Sequence, residues 1–123
     1  MATILIVDDD PGVTEIFGRM LRLEGYNVRT AVDPEQGLRE ADEHHPDAIL
    51  LDLRMPFIDG LLFLRRLRGR QEHQNTPVAI VTGAYFMDDA ENSELEALGA
   101  EVVFKPLWIE DVVKVVRSLL KTP

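Results

Sequence analysis

Five short strand-like runs alternate along this chain with five segments of helical periodicity, and that alternation leaves few folds open. Ile4–Val7 is wholly apolar and rich in branched residues, as suits a parallel strand buried on both faces. Asn27–Ala31 is more polar and reads as a strand nearer an edge, followed by strands at 47–51, 77–81 and 101–104. Between them the helical faces are plain. Val13, Ile16, Phe17, Met20 and Leu21 recur at i, i+3, i+4, i+7 and i+8, with Gly25 as the stop. Asp33-Pro34-Glu35-Gln36 starts a second helix: Asp33 caps it and Gln36 reaches back, with Leu38 and Ala41 inward and Pro46 closing it. Asp59-Gly60 turns into a third helix, with Leu61, Leu64 and Leu67 inward and Arg65, Arg66, Arg68 and Arg70 outward. A polar loop follows at 69–75, then a weaker helix at about 88–98, and a last one at 109–120 with Ile109, Val112, Val113, Val116, Leu119 and Leu120 on one face. Strand–helix alternation with short connections implies an α/β fold: a parallel sheet, right-handed crossovers and helices on both faces.

A chain of 123 residues has room for one such domain, 1–123. The formal charge of −9 repels phosphate backbones and acidic lipid, so direct nucleic-acid binding is not expected. The absence of cysteine removes disulfides, zinc–thiolate sites and thiol catalysis, and agrees with a cytoplasmic setting. The amino terminus lacks a basic, then apolar, leader pattern, and no apolar run approaches the ~20 residues needed to cross a bilayer.

Four of the five strands end on polar residues: Asp8 and Asp9, Asp52, Thr82, and Lys105. Parallel strands place all these ends on one edge, where open α/β sheets bind ligands. Carboxylates gathered there repel one another unless a cation compensates, and Mg²⁺, with its preference for oxygen ligands, suits them. An aspartate beside a divalent cation, an ammonium and a hydroxyl is suited to phosphoryl transfer. Asp52 would attack, Asp8 and Asp9 would hold the metal, and Thr82 and Lys105 would contact the phosphoryl oxygens. Asp10 reads as a helix cap.

The segments Val7-Asp-Asp-Asp-Pro11, Asp52-Leu-Arg-Met-Pro56 with Asp59-Gly60, Thr82-Gly83 and Lys105-Pro106-Leu107 together resemble the receiver domain of two-component response regulators, in order and across the whole chain. The resemblance implies a flavodoxin-like (βα)5 three-layer sandwich with strand order 2-1-3-4-5. It implies a bacterial phosphorelay in which Asp52 takes a phosphoryl group from a phosphohistidine of a sensor histidine kinase or phosphotransfer protein. Such a domain is not an enzyme in the ordinary sense; it promotes its own phosphorylation and dephosphorylation. By position, Asp9, Asp52 and the backbone carbonyl of Arg54 would bind Mg²⁺ directly, with Asp8 acting mostly through water. Lys105 would precede a cis peptide to Pro106. The resemblance also implies that Thr82 moves inward when Asp52 is phosphorylated, coupled to an aromatic three residues before the lysine. Here that residue is Val102, with Tyr85 and Phe86 as candidate substitutes. The implied output face, for a downstream effector or self-association, is formed by the fourth helix, fifth strand and fifth helix, where Trp108 and an outward Val115 would lie.

Two other functions remain open to the sequence: a phosphorylation-independent adaptor, and a Mg²⁺-dependent phosphatase with an aspartyl nucleophile. The second fits less well, because the first-strand acids are adjacent rather than separated by one residue. His44, His45 and His73 read as solvated surface, without ligand spacing, and the arginines at 65–70 as the solvated face of a helix.

Overall fold

In the computed structural model, the described residues are 1–52, 57–82, 89–104 and 107–121, without the side chains of Asp52, Phe57, Ile58, Asp59 and Thr82. Five strands, β1 (Thr3–Asp8), β2 (Asn27–Ala31), β3 (Ala48–Asp52), β4 (Val78–Thr82) and β5 (Ala100–Phe104), form one parallel sheet of order β2-β1-β3-β4-β5. The helices are α1 (Pro11–Leu23), α2 (Pro34–His44), α3 (Phe57–Arg68), α4 (Asp89–Ala97) and α5 (Ile109–Leu120). This is the flavodoxin-like arrangement expected from the sequence.

Alternation along the central strands creates two cores. Leu5 and Val7 of β1 and Ile49 and Leu51 of β3 face α2, α3 and α4; Ile4, Ile6, Ala48 and Leu50 face α1 and α5. Successive strand side chains point to opposite faces, so a strand apolar at every position requires a layer on each side. The helix starts follow their caps. Asp10 accepts from the N–H groups of Gly12 and Val13, and Asp33 accepts from that of Gln36, with proline in the first turn of each helix. Gln36 does reach back, its Oε1 accepting from Val32 N–H at 2.9 Å. Gly25 follows α1 with φ 95°, a conformation that L side chains rarely adopt.

At Gly37, α2 packs close against the sheet. A Cβ there would lie 2.9 Å from Val7 Cγ2 and 3.1 Å from the Phe63 ring. Gly37→Ala would gain about 0.5–1 kcal/mol of helix propensity, yet overpacking a core costs about 1–3 kcal/mol. The clash is expected to win, and a lowered midpoint in urea unfolding checks it.

Several expectations are corrected. Asp59-Gly60 lies inside the first turn of α3 rather than before it. Ile16 and Ile109 are exposed, Ile16 at the margin of its helical stripe and Ile109 at the first residue of α5. Val115 is not turned outward; it is half-buried against the α1–α5 core. His73 is 1% exposed rather than solvated. A 3-10 turn at Gln71–His73 folds the loop back, setting its ring 5.9 Å from that of His45 and its Nδ1 3.2 Å from Thr76 Oγ1.

Of the arginines expected on a solvated face, Arg65 and Arg66 are exposed as expected, whereas Arg68 and Arg70 are partly buried. Arg68 is half-buried and donates to three carbonyls, those of Leu98 (2.7 Å), His73 (2.8 Å) and Thr76 (2.6 Å). Burial pushes its guanidinium down from arginine's usual value. Arg70 pairs with Asp42 at 2.7 Å, and Arg65 grips Glu94 of α4 with Nε and Nη2. The hydrogen bonds from Arg65 hold the Glu94 carboxyl below the usual carboxylate range. Because that pKa is depressed on folding, the pair's contribution is present above the ordinary glutamate range and fades as pH falls through Glu94's own value.

Candidate functional site

The site is built at the carboxyl edge of the sheet by strand register. Asp8, the last residue of β1, is the direct partner of Asp52, the last residue of β3. Asp52 is in turn level with Val81, one residue before Thr82, and Thr82 is level with Phe104, after which Lys105 follows. Neighbouring strands lie about 4.8 Å apart, so the backbone alone brings Asp8, Asp52 and Thr82 to adjacent positions.

The two acids at the head of α1 have separate environments. Asp8 is 2% exposed, and its Oδ1 accepts from the Asp10 N–H at 2.8 Å; Asp9 is exposed beside it. Asp10 is committed to capping α1. A buried carboxylate in register with a second one is unfavourable without a compensating cation. The donors brought to this edge by Asp8, Asp9 and Asp52 are all carboxylate oxygens, a set that fits Mg²⁺ better than a softer metal.

Some sequence-derived candidates are placed by the backbone only. The side chains of Asp52 and Thr82, and the whole of Arg54, Tyr85, Phe86, Lys105 and Pro106, lie outside the described residues. Val102, at the position of the expected aromatic, pairs in register with Ile80 and packs, with Leu98, against the core under α4.

Away from this edge, Glu40, Glu43 and His44 bring ligand atoms within 4.8 Å of one another, a spacing that the sequence reading did not pick out. Arg29 already occupies both Glu40 oxygens, at 3.1 and 2.9 Å, so the group is an ion-pair cluster on the outer side of α2. A cavity of about 410 Å³ lined by Thr3, Tyr26, Asn27 and His44 lies at the opposite end of the sheet. Recognition of the carboxylates rests on register and burial.

The response regulator receiver domain model matches residues 4–117. The chain belongs to that family. This receiver is 38% identical over 118 residues to the transcriptional regulatory protein PrrA of Mycobacterium tuberculosis, covering 96% of this chain and 49% of that protein. It is 34% identical over 121 residues to the response regulator ArlR of Staphylococcus aureus, covering 98% of this chain and 53% of the other. The receiver thus spans about half the length of these curated relatives. Among solved structures, the chemotaxis protein CheY4 of Vibrio cholerae superposes with a TM-score of 0.83 at 29% identity, over 98% of this chain and 99% of that one. The receiver is therefore a two-component system domain, and among its described residues no helix is long and apolar enough to cross a membrane.

Proposed function

We propose that this receiver is a phosphoacceptor switch in which Asp52 takes a phosphoryl group from the phosphohistidine of a sensor kinase or phosphotransfer protein. The observation that carries the reading is the register of the buried Asp8 against Asp52 at the carboxyl edge of the sheet. A carboxylate oxygen of Asp52 attacks phosphorus; the P–O bond forms, the P–N bond to the donor histidine breaks, and the imidazole leaves with its electron pair. Asp9, Asp52 and the Arg54 carbonyl would hold Mg²⁺ directly and Asp8 through water. When bound, Mg²⁺ supplies neutralisation of the charge on the phosphoryl oxygens. Lys105 contributes a second positive charge on those oxygens, and Thr82 donates its hydroxyl to one of them. Asp10 keeps α1 capped, which fixes the direction in which β1 delivers Asp8 and Asp9.

The domain acts as a signalling element that promotes its own phosphorylation and dephosphorylation, in a cytoplasmic relay, rather than turning over a small substrate. Its output surface is the α4–β5–α5 face. Phe104, Trp108 and Ile109, 43%, 60% and 42% exposed, are the apolar side chains of β5 and the start of α5 that would meet a downstream effector or a second copy.

Incubation with acetyl phosphate and Mg²⁺, read by intact mass, is expected to add one phosphoryl group, and chelation of the metal is expected to abolish the addition. Catalytic release of phosphate from a phosphate ester, without a protein adduct, would overturn the reading in favour of a phosphatase.

A further inference from the structure

The helices α3 and α4 are joined by two arginines of α3 in different ways. Arg68, half-buried, ties the carbonyl of Leu98, just beyond the end of α4, to those of His73 and Thr76, which lead into β4. Its three acceptors are backbone atoms, and its removal would leave them unsatisfied, so it serves as a fixed pivot. Arg65, one turn earlier, holds Glu94 through both guanidinium edges, Nη2 to Oε1 at 2.7 Å and Nε to Oε2, on a surface open to water. A bidentate pair in that setting is directional and easily released.

The buried contact of α4 is narrow. Leu95 is its one buried residue, and Leu98 just beyond it is half-buried. Along the chain, α3 follows the strand that ends on Asp52, and α4 follows the strand that ends on Thr82. The Arg65–Glu94 pair therefore spans the two elements that a new bond between an Asp52 phosphoryl and Thr82 would pull on. Val102 stands at the position where the resemblance implies an aromatic to carry that displacement outward, and it packs with Leu98, whose carbonyl Arg68 holds.

We propose that Arg65 and Glu94 form a latch that holds α4 in its resting position, turning about the Arg68 pivot, and that its release is coupled to phosphorylation. The latch rests on the reading of Asp52 as phosphoacceptor and regulates that same site. By linkage, a contact made better in the resting state lowers the population competent for phosphorylation, so its loss raises the rate of acetyl phosphate labelling.

The test compares wild type, Arg65→Ala, Glu94→Ala and the charge-swapped Arg65→Glu/Glu94→Arg chain. Initial labelling rate is followed by intact mass and α4 amide exchange by mass spectrometry, with and without beryllofluoride. Each single variant is expected to label about two- to fivefold faster, the span an exposed ion pair can supply. Its resting α4 exchange should move toward the level that beryllofluoride gives in wild type, and the swapped chain should return toward wild type. Because both side chains lie on the surface, circular dichroism should show unchanged helix content. Wild type that labels, with single variants matching it in rate and in α4 exchange, would overturn the latch and leave the phosphoacceptor reading intact. Wild type that takes no phosphoryl group would overturn that reading, and the latch's coupling with it.

Discussion

Phe63→Ala is expected to destabilise the domain by about 3–5 kcal/mol, the usual cost of emptying a buried aromatic site. Phe63 is 1% exposed, between α3 and the sheet, and its ring edge lies against Gly37, where α2 has no side chain to move into the gap. The surrounding Val7, Leu38 and Leu64 are themselves fully packed in the same core, so relaxation is limited. Urea unfolding monitored by circular dichroism reads the effect as a fall in midpoint with little change in slope. A loss below about 1 kcal/mol would show that the site collapses and that the close approach at Gly37 is not rigid.

Asp8→Asn is expected to weaken Mg²⁺ binding about 10- to 100-fold, the range for residues that support a metal from behind its direct ligands. The amide keeps an oxygen for the Asp10 N–H, so the cap of α1 is undisturbed and only the charge is removed. Without metal the variant should be at least as stable as wild type, because a buried negative charge in register with Asp52 has been taken away. With saturating Mg²⁺ the order should reverse, since a ligand that binds only the folded state stabilises it in proportion to its affinity. Thermal unfolding with and without Mg²⁺ measures both. Equal metal-dependent shifts for the two chains would remove Asp8 from the metal's surroundings.

The sequence made the sheet and the edge legible because strand ends and helix caps are local. A run such as Ile4–Val7 followed by Asp8 and a capped Pro11 shows both where β1 stops and where α1 starts, and α5 is found at the expected 109–120. Periodicity also separated the inward leucines of α3 from the rest. It could not show that the polar segment at 69–75 folds back and buries His73, because that depends on the carbonyls which Arg68 gathers from distant positions. Phe63 was missed for a related reason: it flanks the stripe of Leu61, Leu64 and Leu67, and only the bare surface of Gly37 makes room for it. At the site, the order of Asp8, Asp52, Thr82 and Lys105 along the chain already implied one edge, whereas the pairing of Asp8 with Asp52 needed the register.

The most direct test of the central claim is intact mass after exposure to acetyl phosphate and Mg²⁺, with wild type and Asp52→Asn side by side. Asparagine keeps the shape at the end of β3 and removes the nucleophilic carboxylate. One phosphoryl group on wild type and none on Asp52→Asn is the predicted result. Equal labelling of both chains, or none on wild type, would contradict it.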